Sequence, residues 1–158
     1  MNTLIIYASK YGCTADCAVY LKTKTLGSAT LIDINKSDEE ISLNDYDTII
    51  IGASVYIGKI SKKLRTFCEN NLEVLTKKKV GIFLCCALTE QIDEVLKANL
   101  PAAVPANAVT VKSFGSEARL EKMSFLDKLI IKAVSRGDYS KFKVLNDEMD
   151  IFLREMQG

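Results

Sequence analysis

The chain has 158 residues, 48% hydrophobic and 26% charged, with 21 basic and 20 acidic side chains and a net charge of +1. A chain of this length supports a sizeable core, so one domain over residues 1–158 is expected and an extended disordered chain is excluded. The balanced charge and the lack of basic-aromatic interleaving exclude nucleic acid as a partner, and no apolar run approaches the ~20 residues of a transmembrane segment.

Five cysteines, Cys13, Cys17, Cys68, Cys85 and Cys86, form no C-x-x-C pair, and there is no histidine. With no signal-peptide pattern at the start, a reduced, cytoplasmic setting is expected.

In chain order, the apolar run Leu4-Ile5-Ile6-Tyr7-Ala8 breaks into Ser9-Lys10-Tyr11-Gly12-Cys13-Thr14 and then into a helical pattern. This predicts a strand from Thr3 to Ala8, a turn carrying hydroxyls and a glycine, and a helix from about Thr14 to Lys24. Such a junction is where an α/β protein holds a phosphate on unpaired backbone N–H groups. Ser9 and Thr14 add hydroxyl hydrogen bonds, Gly12 permits close approach, and Lys10 reads as a solvated charge. A plain helix cap uses the same residue types, so both readings stand at this point. The turn matches neither G-x-G-x-x-G nor the GK[ST] ending of a nucleotide-triphosphate loop, which demotes nicotinamide and ATP.

The helix turns Cys17, Ala18 and Leu21 inward. A second strand is predicted from Thr30 to Ile34. Asp38, Glu39, Glu40, Asp45 and Asp47 read as a solvated linker to a third strand, from Thr48 to Gly52. The turn after it, Ser54-Val55-Tyr56-Ile57-Gly58, offers the flat face of Tyr56 to a ring system and a backbone group of Gly58 to a ring nitrogen. A helix from about Ser61 to Leu75 carries Leu64, Phe67, Cys68, Leu72 and Leu75 at helical spacing.

The fourth strand, Val80 to Cys85, leads into the loop Cys86-Ala87-Leu88-Thr89, where Cys85 and Cys86 read as core or pocket-wall thiols. Cys13 differs, because a thiol at a helix N-terminus tends to a lower pKa. Without a histidine base no catalytic thiol is expected, and no spacing along the chain suggests a metal site. A helix from about Thr89 to Asn99 buries Ile92, Val95 and Leu96 and ends before Leu100-Pro101.

The fifth strand is predicted from Ala108 to Phe114. Between Gly115 and Tyr139 the run Phe125 to Val134 reads as an additional short helix, with Lys128, Lys132 and Arg136 on another face. That face is either a solvated edge or an element turned toward a substrate or partner. The last helix, about Ser140 to Met156, carries Leu145, Met149, Phe152, Leu153 and Met156 on one stripe. Alternating strands and helices of this kind predict an α/β fold, a doubly wound five-stranded parallel sheet with its ligand loops at the carboxyl edge.

On these residues the chain resembles the flavodoxin family, and more closely its branch related to the FMN-dependent, quinone-linked protoporphyrinogen oxidase. The resemblance rests on Thr3 to Thr14, where Ser9, Gly12 and Thr14 match the phosphate-loop pattern S/T-x-T-G-x-T. It also rests on Ile51 to Gly58, and on Phe125 to Lys132 followed by Gly137. It implies a flavodoxin-like sheet in the order 2-1-3-4-5 and noncovalent FMN. Ser9, Lys10, Tyr11, Gly12, Cys13 and Thr14 would then wrap the phosphate. Ser54, Val55, Tyr56, Ile57 and Gly58, with Cys86, Ala87, Leu88 and Thr89, would flank the isoalloxazine.

The implied function is an FMN-dependent oxidoreductase or electron-transfer flavoprotein, working with a redox partner protein, a quinone or a small-molecule substrate. A flavodoxin-type carrier and a flavin-free regulatory or scaffold domain are the alternatives, and peripheral contact with a membrane stays open. The chain departs from the pattern in four ways. Tyr11 stands where many relatives have threonine, and the loop after the fourth strand lacks the aromatic that often covers the other ring face. Ala87 to Ala108 is shorter than the oxidase's insertion, and the charge of +1 contrasts with strongly acidic carriers.

Overall fold

The computed structural model describes residues 1–140 and 142–158. The aliphatic and β-branched runs form five strands, β1 (Asn2–Ala8), β2 (Ser28–Asp33), β3 (Thr48–Ser54), β4 (Lys79–Cys85) and β5 (Thr110–Ser113). All pair in parallel in the order β2-β1-β3-β4-β5, as predicted. β3 runs two residues past the predicted Gly52, because Ala53 and Ser54 stay in register with Leu84 and Cys85 of β4. β2 begins two residues before the predicted Thr30, since Ser28 and Ala29 pair with Asn2 and Thr3.

Alternate residues of the strands build two cores. Leu4, Ile6, Ile49, Ile51, Val80 and Ile82 face one side, against α2 (Lys62–Asn70), α3 (Leu72–Leu75), α4 (Ile92–Asn99) and α5 (Ala103–Asn107). Ile5, Ile50, Phe83 and Cys85 face the other, against α1 (Cys13–Lys24) and α7 (Asn146–Gln157). On that second side Phe83 stacks on Phe114 with centroids 4.7 Å apart, and the ring of Phe152 meets Phe114 edge-on at 5.4 Å. Burial on both faces explains why the strands read as continuous apolar runs.

Three helices depart from the sequence prediction for local reasons. The predicted helix Ser61 to Leu75 is broken at Asn71, whose side chain donates to the Phe67 carbonyl at 2.9 Å and takes over part of the helix end. The predicted helix from Thr89 is a single 3-10 turn (Thr89–Gln91) before α4. α7 starts at Asn146 rather than Ser140, because the preceding residues lie along the end of β5. There Ser116 donates to the Lys143 carbonyl and Leu145 donates to the Phe114 carbonyl.

The additional helix is present as α6 (Phe125–Ser135), with Ser124 as an N-cap accepting from the Asp127 amide at 3.2 Å. It lies over the carboxyl edge of the sheet. Its inward residues are Asp127, which is buried, and the half-buried Ile130 and Ile131, while Phe125, Leu126, Leu129 and Val134 are exposed.

Candidate functional site

The order β2-β1-β3 sends the chain outward from β1 to β2 and then back across to β3, leaving a crevice above the carboxyl ends of β1 and β3. The Ser9 to Thr14 turn closes one side of it. Ser9 Oγ accepts from the amides of Gly12 at 3.0 Å and Ala15 at 3.3 Å, which curls the turn. Ser54 Oγ accepts from the Lys10 amide at 3.0 Å and donates to the Ala8 carbonyl at 3.1 Å, tying the turn to β3.

Gly12 takes φ +99 just ahead of α1, so the backbone favours glycine, while a Cβ there would meet only the mobile end of Arg119. The amides of Tyr11, Cys13 and Thr14 have no backbone or side-chain acceptor among the described residues. Thr14 Oγ1 is fully buried and also has no partner. A helix start with free amides and an orphaned hydroxyl is a set of donors waiting for an anion.

The second wall is a two-residue hairpin in which Tyr56 and Lys59 exchange backbone hydrogen bonds at 2.9 and 3.0 Å. Both central residues have positive φ, +49 for Ile57 and +68 for Gly58. Glycine adopts this readily, but a β-branched residue does not, so Ile57 is strained and 66% exposed. Buried Asn99 clamps the hairpin from below. Its Nδ2 donates to the carbonyls of Gly58 at 2.8 Å and Val95 at 2.7 Å, and its Oδ1 accepts from the Ile60 amide at 3.2 Å.

Val55, Tyr56, Ile57 and Gly58, with Cys86, Ala87 and Leu88 after β4, line an apolar groove of about 350 Å³, covered by Ile130, Ile131 and Val134 of α6. It shares Val55, Tyr56, Ile131 and Phe142 with a smaller space of about 60 Å³, which also meets Ser9, Lys10, Tyr11, Cys13 and Thr14. The three predicted loops therefore converge on one continuous site. Thr89 is the exception: it is exposed at the head of its 3-10 turn and does not line the groove. Gly12 contributes backbone only.

Lys10 is exposed, as expected from sequence, but it is also partnered. Its ammonium lies 3.2 Å from Asp127 and 3.3 Å above the Tyr56 ring centroid. The hydroxyls of Tyr11 and Tyr56 both donate to Asp127, so one carboxylate from α6 gathers both walls. Sequence reasoning missed Asp127 and Asn99, each a polar residue that turns to the buried side of its helix.

Folding also gathers three thiols that spacing along the chain keeps apart. Cys13, Cys17 and Cys85 are buried, with their sulfurs all within 4.8 Å of one another. Hydrogen bonds from the other two thiols hold Cys13 far below the ordinary thiol range. Cys17 and Cys85 are raised chiefly by their bonds to Cys13, and burial adds to the rise.

A family model described as "Flavodoxin domain" matches residues 4–144. No curated protein matches the chain. Among solved structures, the chain is similar to a flavoprotein in complex with FMN from Lactobacillus acidophilus NCFM, at 19% identity and TM-score 0.53 over 71% of this chain and 92% of that one. It is also similar to oxidised flavodoxin 1 from Bacillus cereus, at 22% identity and TM-score 0.52 over 90% and 97% of the two chains. A flavodoxin from the domain Archaea matches at 13% identity and TM-score 0.53 over the full length of both. At these identities the structural likeness is one of fold.

Proposed function

The chain belongs to the flavodoxin domain family, and we propose that it binds FMN at the carboxyl edge of its sheet and serves in electron transfer. The observation that carries this reading is the unmet donor set at the start of α1, comprising the Thr14 hydroxyl and the amides of Tyr11, Cys13 and Thr14. These groups suit a phosphate ester, and the adjoining apolar groove suits a flat ring system. Ser9 and Ser54 fix the shape of the phosphate turn, and Asn99 fixes the hairpin beside the ring.

FMN, when bound, supplies one- and two-electron chemistry that no side chain here can supply. The residues of this chain bind it, orient it and shield it. Val55, Ile57, Leu88, Ile130 and Ile131 exclude water from the groove, while Tyr56 presents its ring at the groove wall.

The finer reading is an oxidoreductase that passes electrons to a quinone or takes them from a porphyrin-like molecule, as in the protoporphyrinogen-oxidase-related branch. Its support is α6, where exposed Phe125, Leu126 and Leu129 beside exposed Lys128 and Lys132 suit an apolar partner with negative groups. The same face suits a redox partner protein or the edge of a membrane. No helix among the described residues is long and apolar enough to cross a membrane.

Purified protein reconstituted with FMN separates these readings. Binding with steady-state turnover of a soluble quinone supports the oxidoreductase. Binding with reduction only when a reductase is supplied supports the carrier. Protein that binds no FMN at micromolar concentration would be a flavin-free domain, and the proposal would fall.

A further inference from the structure

We propose that Cys13, Cys17 and Cys85 form a three-coordinate thiolate site for a soft monovalent cation of the copper(I) type. The site lies on the α1 and α7 side of the sheet, and it stands whether or not FMN is bound.

The fold builds the geometry from two rigid elements. Cys13 and Cys17 are one helical turn apart on the buried face of α1, and Cys85 is the last residue of β4. The sulfurs of Cys17 and Cys85 are 3.9 Å apart, and all three lie within 4.8 Å of one another. A metal–sulfur bond of ~2.3 Å in a trigonal plane places its sulfurs ~4.0 Å apart, so a metal fits with little rearrangement.

The donor set selects the ion. Three sulfurs with no carboxylate in the group, in a chain with no histidine, disfavour magnesium, calcium and manganese. Structural zinc takes four ligands, and the group supplies three. Thiolate sulfur in a three-fold set suits copper(I).

The surroundings offset the negative charge that coordination brings into the core. Cys13 is the first residue of α1, where the helix end is positive. Arg119 lies close enough to act on Cys13 electrostatically, held by Asp16 and Glu117. Coordination replaces the thiol protons, which leave to solvent, and transfers no electron. Cys13 and Cys17 also line an outer groove of about 530 Å³ with Tyr20 and Arg119, which gives the ion an entrance.

The test is a titration of the fully reduced protein, under nitrogen, against copper(I) held by a coloured chelating indicator. Native protein is expected to withdraw one equivalent from the indicator. Cys13→Ser, Cys17→Ser and Cys85→Ser should each bind more than about 100-fold more weakly, beyond the loss expected for an outer-sphere group. Cys68→Ala, altered in the opposite core, should bind as the native protein does. X-ray absorption of the copper-loaded native protein, which needs no variant to fold, should find three sulfur neighbours. Failure to compete with the indicator, undiminished binding in all three serine variants, or fewer than three sulfur neighbours would overturn the assignment.

Discussion

Asn99 shows how much of the site hangs on one amide. It is 5% exposed and satisfies three backbone groups, of which the Ile60 amide and the Val95 carbonyl have little recourse to water. Asn99→Ala should therefore cost about 1–3 kcal/mol in urea denaturation and weaken FMN binding, because the hairpin would lose its anchor. A variant as stable as the native protein would contradict the clamp. Nothing in the local sequence singles out Asn99 except a polar side chain on the face shared by Val95 and Leu96. Ile57 was equally hidden, because a residue's φ is set by the hairpin closure and not by its own preference.

Cys68 gives a pH dependence at the same scale. Burial pushes its thiol up to about 12. Below the unfolded value, ~8.5, both states hold the proton and the full contribution is present. Between that value and about 12 the unfolded chain loses a proton that the folded chain keeps, so stability falls as pH rises, by about 1.4 kcal/mol per unit. The stability gap between native protein and Cys68→Ala should accordingly narrow from pH 8.5 to pH 10. A gap constant over that range would contradict the assignment.

Among the elements, α6 is the one whose role the sequence conceals. Its boundaries were legible from the apolar repeat, yet the structure docks it through Asp127 and leaves Phe125, Leu126 and Leu129 outside. Periodicity assumes that the apolar side faces in, and here a carboxylate bound by Lys10, Tyr11 and Tyr56 decides otherwise. Asp127→Ala should release this dock and raise amide hydrogen exchange across residues 125–135 by about tenfold or more, with β1 and β3 unchanged. Unchanged exchange in α6 would mean that Ile130 and Ile131 hold the helix unaided. The strands posed no such difficulty, since a parallel sheet covered on both faces writes its core directly into continuous runs such as Thr48-Ile49-Ile50-Ile51.

In the whole molecule, the strands and the three edge loops were readable because each is local, a run, a turn or a helix start, whereas the strand order came only with the family resemblance. Contacts between distant segments were not readable. Cys85 joins Cys13 and Cys17, and Asp127 reaches Lys10, only after the sheet is wound. The central claim is that free donors at the start of α1 grip a phosphate, and it is tested most directly by comparing FMN with riboflavin, which has the same ring system and lacks the ester. Two or more charge-assisted hydrogen bonds, each worth about 1.5–3 kcal/mol, amount to at least about a 100-fold preference. Fluorescence titration of the flavin-free protein should show FMN binding tighter than riboflavin by that factor. Equal affinity for the two would contradict the account.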